Sequence, residues 1–131
     1  MARDNGFRNL KVWQKSMNAL IEIYRLIRSF PKDEILGLTS QIRRAAQSVP
    51  SNIAEGYKRR RYPNDYLRAL TYAEGSQGET LTDIEVAVRL NYLEKAEGRR
   101  LWKLYDEIGA MLDGLCKSVE KKAQNRPKKQ G

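Results

Sequence analysis

The sequence predicts an all-α protein, an antiparallel up-down-up-down four-helix bundle whose second helix is kinked at Pro50. Apolar residues recur at steps of three and four in four separate segments, which is the period of one helix face. Valine and isoleucine occur singly and not in alternating runs, so no strand is expected. The 131 residues suit one domain, and the short links between the segments favour a bundle.

The first helix is predicted from an apolar face that ends before Pro31, because the residue before a proline is displaced from helical backbone angles. Asp33 is the expected N-cap of the second helix. The predicted face of the first helix comprises Leu10, Trp13, Met17, Leu20, Tyr24 and Ile27, and Ile23 and Phe30 widen it.

The second helix is predicted to run through Pro50 as one bent helix over about 34–60. Its apolar positions keep one phase across the proline, from Val49 to Ile53. The proline ring removes one backbone hydrogen bond at a cost of about 3 kcal/mol, which tertiary packing must offset. The apolar face comprises Ile35, Leu38, Ile42, Ala45, Val49, Ile53 and Tyr57.

The third helix is expected to begin at Asn64 or Asp65 as its cap and to end before a short connection at 91–95. Gly75 and Gly78 inside it each cost about 1 kcal/mol relative to alanine. Their spacing of one turn favours a close helix–helix crossing, and a break at Gly75 is the alternative. The apolar positions are Leu67, Leu70, Ala73, Gln77, Leu81, Ile84 and Val88.

The fourth helix is predicted from one further apolar face, which precedes a basic C-terminal segment. Its positions are Leu101, Leu104, Ile108, Met111 or Leu112, Leu115 and Val119. The following stretch, "EKKAQNRPKKQG", has no apolar periodicity. We therefore expect a bundle over 1–119 and a basic, disordered tail over 120–131.

The positive charge is concentrated in two segments. The net charge is +9, and 41–61 and 117–131 each hold six cations and one acid, so each carries +5 and the rest of the chain −1. A balanced body with two basic patches favours a polyanionic partner. For the tail, a role in solubility is the alternative.

The candidate nucleic-acid contacts are cations from these two segments. Tyr57 and Tyr62 flank the cationic run and could stack on bases, an interaction worth about 1–3 kcal/mol per base. No groove-reading motif occurs, so binding to RNA or single-stranded DNA is expected to be independent of sequence. The candidate residues are Arg43, Lys58, Arg59, Arg60, Arg61, Lys121, Lys122, Lys128 and Lys129.

A second face of the second helix is predicted to lie opposite the core and to form an oligomer interface. Small polar residues with a charge at each end make up this face: Arg44, Ser48, Ser51, Asn52 and Glu55. An ordinary solvent face would carry more long charged side chains, so close approach of a neighbouring subunit or a nucleic-acid backbone is expected. A plain exposed face of a monomer is the alternative.

Catalysis, metal binding and cofactors are not expected. The chain has no histidine, and its single cysteine, Cys116, cannot form a zinc site or an internal disulfide. The remaining catalytic candidates are Glu74, Glu79, Asp83 and Glu85, which are expected to form a solvated acidic face. The lone cysteine, with no signal-like segment or membrane-length apolar run, indicates a cytoplasmic protein without a membrane partner.

Two stretches, "QIRRAAQSVPSNIAEG" at 41–56 and "YLRALTYAEGSQGETLTDIEVAVRLNYL" at 66–93, resemble one family over roughly 7–119. It comprises the four-helix-bundle proteins encoded in intervening sequences of bacterial 23S ribosomal RNA genes, and is related to the accessory variability proteins of diversity-generating retroelements. The resemblance implies a homopentamer with a basic surface. The retroelement relatives imply nucleic-acid binding without enzymatic activity and a reverse transcriptase as partner. A protein–protein assembly module, with the cations serving solubility, is the alternative.

Overall fold

The computed structural model describes residues 6–125, and the secondary structure in this range is helical. The four α-helices are α1 (Lys11–Leu26), α2 (Leu38–Lys58), α3 (Pro63–Arg89) and α4 (Lys95–Gln124). Short 3-10 turns precede α1 (Gly6–Asn9), follow it (Ile27–Ser29) and lead towards α2 (Lys32–Glu34). The prediction of an all-α protein with four helices is therefore confirmed.

In the contacts between α2 and α3, later residues of α2 meet earlier residues of α3. The hydroxyl of Ser76 donates a hydrogen bond to that of Ser48 at 2.8 Å. Closer to the α2–α3 loop, Gly56 lies against Ala69. The end of α2 and the start of α3 therefore lie together at one end of the bundle.

Helices α3 and α4 also meet in opposite numerical order. The Gln77 amide donates to the Tyr105 carbonyl at 2.9 Å, and the Cys116 thiol lies 3.5 Å from a carboxylate oxygen of Glu74. Helix α1 completes the bundle by packing against both α2 and α4. The last turns of α4 consequently point towards the same end as the α2–α3 loop.

All four helices contribute to one core. Burial of a large aliphatic side chain stabilises the fold by about 1.5–3 kcal/mol. The largest fully buried side chains include Ile23, Ile42, Ile53, Leu70, Ile84, Leu101, Tyr105, Ile108 and Leu112. On α2 the predicted core face is confirmed except at Ile35, which precedes the helix and is exposed, and at Tyr57, which is only half-buried.

The core face of α1 differs from the prediction. Tyr24 is exposed and Met17 is only half-buried, whereas Val12 and Ala19, which lie outside the predicted face, are buried. Ile23 and Phe30 are buried as predicted. Two overlapping stripes at steps of three and four exist on this helix, and both contain Leu20 and Ile27. Periodicity alone does not distinguish them, and the positions of α2 and α4 decide which stripe is covered.

Helix α2 continues through Pro50, as predicted, and the bend at this residue stays a prediction. Its start differs from the expected range, because α2 begins at Leu38. Asp33 lies in the preceding 3-10 turn and does not cap the helix. Instead, a carboxylate oxygen of Glu34 accepts a hydrogen bond from the Leu38 backbone N–H at 3.3 Å.

Helix α3 also differs at its start and at its glycines. It begins at Pro63, one residue before the earlier of the predicted caps, Asn64 and Asp65; proline suits the first helical position because its missing N–H would be unpaired there. The helix does not break at Gly75. A Cβ placed on Gly75 or Gly78 would meet nothing within 4 Å, so the predicted close crossing within the bundle is wrong.

The close approaches between helices occur at other glycines. A Cβ on Gly56 would stand 2.9 Å from the Ala69 Cβ, and one on Gly98 would stand 2.3 Å from a methyl group of Val88. Both glycines lie within a turn of a short interhelical connection. Such connections force neighbouring backbones together, which favours residues without a side chain.

Helix α4 extends to Gln124, so residues 120–124 are helical and not disordered as predicted. Buried Val119 and half-buried Ala123 continue the apolar spacing by one step of four. Lys128 and Lys129 lie outside the described residues. None of the helices described has a stretch both long and apolar enough to span a membrane.

Candidate nucleic-acid interface

The cationic run at 58–61 occupies the end of α2 and the loop to α3. The backbone N–H groups of Arg59 and Arg60 donate to the Gly56 and Tyr57 carbonyls at 3.0 and 3.1 Å. The loop therefore begins as a continuation of the helix. Four cations are presented from a hydrogen-bonded turn, where they complement the negative end of the helix dipole.

The second basic segment lies at the same end of the molecule. A cavity of about 430 Å³ between α4 and the α2–α3 loop is lined by Arg60 on one side and Lys122 on the other. Leu10, Pro63 and Leu115 contribute apolar walls. We call this end of the bundle, with 58–61, Lys121 and Lys122, the basic end. Segments about 60 residues apart thus form one cationic surface.

Two contacts with Tyr57 hold the side chain of Arg60. One guanidinium nitrogen donates to the Tyr57 carbonyl at 3.1 Å. The guanidinium carbon lies 4.0 Å from the centroid of the Tyr57 ring, a cation–π geometry worth about 0.5–1 kcal/mol at an exposed site. Tyr57 in turn meets Tyr66 edge to face at 6.5 Å.

Arg59 is partly neutralised, because one of its guanidinium nitrogens lies 3.4 Å from a carboxylate oxygen of Glu55, one helical turn earlier. Both side chains are more than half exposed, so this pair contributes little to stability. Lys58 and Arg61 are exposed. On α4, Lys121 and Lys122 are also exposed.

One predicted contact lies elsewhere. Arg43 precedes Lys58 by 15 residues on α2, which corresponds to about 22 Å along the axis. Arg43 therefore does not belong to the basic end.

Two cations near the basic end were missed from the sequence. Arg8 lies in the 3-10 turn Gly6–Asn9, which packs on α2, and Arg68 lines a cavity of about 190 Å³ beside Arg59. Each is isolated in sequence, so charge clustering did not reveal it. The exposed aromatic ring of Tyr72 lines the same cavity. Exposed aromatic rings are the groups on which bases stack in single-strand binders.

The predicted oligomer face is divided by the fold. Ser48 and Asn52 are half-buried towards α3, and the Asn52 amide donates to both the carbonyl and the hydroxyl of Ser48 at 2.9 Å. Only Arg44, Ser51 and Glu55 remain exposed. The expectation that Ser48 lies opposite the core together with Arg44, Ser51 and Glu55 is wrong, because α2 packs extensively against α3 as well as against the centre. The oligomer interface itself stays a prediction.

An apolar groove adjoins this face on the other side of α2. A cavity of about 400 Å³ between α1 and α2 includes Ile21, Tyr24, Pro50 and Ser51 in its lining. Ile21 is 47% exposed and Tyr24 39% exposed. The groove therefore places exposed apolar side chains next to Ser51, which belongs to the predicted oligomer face.

Several titratable groups have perturbed pKa values, among them Asp83 and Cys116. Burial, with the neighbouring charge of Glu79, raises the pKa of Asp83 to about 6. Burial, with the nearby Glu74 carboxylate, raises the pKa of the Cys116 thiol to about 12, so this thiol is protonated at neutral pH. Within 6–125, no cluster of three or more histidine, cysteine or acidic residues is placed to hold a metal ion.

Comparison with known proteins identifies the family of the chain. No curated protein matches it. Its fold is similar to that of a protein of unknown function from the S23 ribosomal protein family of Bacteroides thetaiotaomicron, with a TM-score of 0.74 and 22% identity over 81% of this chain and 98% of the other. The model of the 23S rRNA-intervening sequence protein family matches residues 8–114. The chain belongs to the 23S rRNA-intervening sequence protein family.

Proposed function

We propose that this protein is a non-enzymatic binder of single-stranded RNA or DNA, which it holds through the basic end without sequence selectivity. One observation carries the proposal: two basic segments far apart in sequence meet across a single cavity, with Arg60 and Lys122 on its two sides. Cations spread for solubility alone have no reason to converge on one end of a bundle. The family's association with ribosomal RNA genes makes RNA the first ligand to test.

Binding of this kind is driven by the release of counterions from the phosphates. For single strands, the logarithm of the affinity falls with the logarithm of salt concentration by about 0.7 per neutralised phosphate. Lys58, Arg61, Lys121 and Lys122 are exposed and supply such contacts. Phosphate contacts position the strand and carry no sequence information.

We further propose that the protein acts as a homo-oligomer, a pentamer by its resemblance to the family. Each subunit would repeat the basic end, so modest contacts would add through effective concentration. The exposed residues Arg44, Ser51 and Glu55, with the apolar groove beside Ser51, form the proposed subunit interface. A reverse transcriptase is the protein partner that the resemblance to retroelement proteins suggests.

The test compares two sets of three lysine- or arginine-to-glutamine changes with equal loss of charge. The first set removes Lys58, Lys121 and Lys122 from the basic end. The control set removes cations from the other end of the bundle: Arg28, Lys95 and Arg99. We expect the first set to weaken binding of a labelled single-stranded RNA at least tenfold, measured by fluorescence anisotropy, and to flatten the salt dependence. The control set should change both far less.

A second function, a protein–protein assembly module, is favoured by the exposed apolar side chains of the α1–α2 groove. The same experiment separates the two. If the first set and the wild type bind RNA equally, with the same salt slope, the basic end serves solubility and the proposal of nucleic-acid binding fails. Oligomerisation that persists in that case would support the assembly module.

A further inference from the structure

We infer that the cavity at the basic end is a pocket for one unstacked nucleobase of a single strand together with its phosphate. The inference rests on the proposed function and names the part of the ligand that this cavity recognises. It also predicts a property that a merely cationic surface lacks, which is a dependence of binding on the base itself.

The walls of the cavity suit a planar, uncharged ring. Its volume of about 430 Å³ falls within the range of about 300–1,000 Å³ that is usual for small-molecule sites. Leu10, Pro63, Leu115 and Val119 line it with apolar surface. A phosphate alone would gain nothing from these walls, whereas a base would bury its faces against them.

The Arg60 guanidinium is oriented for stacking. One of its faces lies over the Tyr57 ring, with 4.0 Å between the guanidinium carbon and the ring centroid. One of its five N–H donors is used by the Tyr57 carbonyl. The Arg60 side chain is otherwise exposed, so the opposite face can stack on a base, as arginine planes do in single-strand recognition.

Tyr66 places a phenol hydroxyl in the lining of the cavity. The residue is only 6% exposed, and its ring meets Tyr57 edge to face. Burial raises the pKa of Tyr66, so the phenol keeps its proton at neutral pH. A ligand atom that accepts a hydrogen bond from this hydroxyl would add to the site.

Lys122 supplies the second half of the recognition. It lines the cavity from α4, opposite the α2–α3 loop that holds Arg60. A lysine ammonium is a compact point charge suited to a phosphate, whereas the planar arginine suits stacking. In this arrangement the base stacks on Arg60 and its phosphate contacts Lys122. A free nucleotide and a nucleotide within a strand share this chemistry.

The first arm of the test uses free ligands and a variant whose larger side chain fills the cavity. The variant has the same net charge as the wild type. Ala123 lines the cavity on α4, so Ala123→Leu should obstruct it. The matched control is Ala110→Leu at an exposed position of the same helix, about 20 Å away along its axis. In NMR titrations, AMP should bind the wild type at least tenfold more tightly than adenosine or ribose 5-phosphate does. Ala123→Leu should remove this preference, and Ala110→Leu should keep it.

The second arm uses labelled RNA strands with and without an abasic stretch, both titrated at several salt concentrations. The wild type should bind the intact strand about tenfold more tightly than the abasic one, with equal salt slopes. Arg60→Lys, which retains the charge but not the stacking plane, should bind both strands equally. It also tests the pocket if Ala123→Leu fails to fold. Equal binding of the two strands by the wild type would overturn the pocket inference and leave the proposed function intact. Loss of all salt-dependent binding would instead defeat the proposed function, and the AMP titration would still decide the pocket.

Discussion

Gly56 on α2 lies against Ala69 on α3 so closely that a Cβ on the glycine would stand 2.9 Å from the Ala69 Cβ. The same Cβ would lie 3.0 Å from Cδ1 of Tyr66 and 3.3 Å from its carbonyl oxygen. Backbone atoms cannot move aside as a flexible side chain can. Gly56 therefore lets α2 and α3 converge just before the cationic loop, and so positions the basic end.

Gly56→Ala is expected to destabilise the protein by about 1 kcal/mol. Overpacking costs about 1–3 kcal/mol, which exceeds the advantage of about 1 kcal/mol that alanine has over glycine inside a helix. The control is Gly75→Ala, where the new Cβ meets nothing within 4 Å and the free energy of unfolding should rise. Urea denaturation measures both. Equal stability changes in the two variants would show that the contact at Gly56 is not limiting.

Asp83→Asn is expected to stabilise the protein at neutral pH and to have no effect in acid. Folding raises the pKa of Asp83 from 3.8 to about 6 through burial and the Glu79 charge. The native state then holds more protons than the unfolded state between these values, so stability falls as pH rises through this window. The penalty is complete above about pH 6 and absent below the unfolded pKa. Melting temperatures of both proteins across this range should converge in acid. An effect that is the same at every pH would point to packing instead, and Asp106→Asn serves as the exposed control.

Cys116 is expected to react slowly with thiol reagents in the native protein. The thiolate is the reactive form, and burial beside Glu74 raises the pKa of this thiol to about 12. Reaction with Ellman's reagent at neutral pH should be at least tenfold slower than in urea-unfolded protein. Glu74→Gln should accelerate it by removing a nearby negative charge. If Cys116 reacted as fast in the native protein as in the unfolded protein, the contact between α3 and α4 would open readily.

The oligomer proposal predicts a mass well above that of one chain. Light scattering at micromolar concentration should give several times 15.2 kDa, and five times that mass for a pentamer. Ser51→Arg places a long charged side chain where the proposed interface has a small one and should lower the mass. Asp106→Arg, at an exposed position of α4, should not. A wild-type mass of one chain, unaltered by Arg44→Glu, would remove both the oligomer and the assigned face.

Local pattern predicted the parts of this protein that depend on local interactions. The periods of three and four placed all four helices, and the unbroken phase from Val49 to Ile53 predicted a helix continuous through Pro50, as the structure has it. The break considered at Gly75 does not occur, because helix formation over a long segment outweighs the small cost of one glycine. Helix starts were less accurate. Glu34, and not Asp33, accepts a hydrogen bond at the start of α2, and α3 begins at Pro63, before the predicted caps Asn64 and Asp65.

The sequence by itself determined the helical segments, the apolar character of their inner faces and the presence of two cationic segments, because each depends on residues within a few turns of one another. Only the tertiary structure decided which stripe of α1 is buried, that Gly56 and not Gly75 marks the close approach, and that Ser48 faces α3. It also brought Arg60 and Lys122 to one cavity. The physical reason is that these features depend on how helices with several possible apolar stripes pack against one another, and that packing is settled by the combined burial of the whole core.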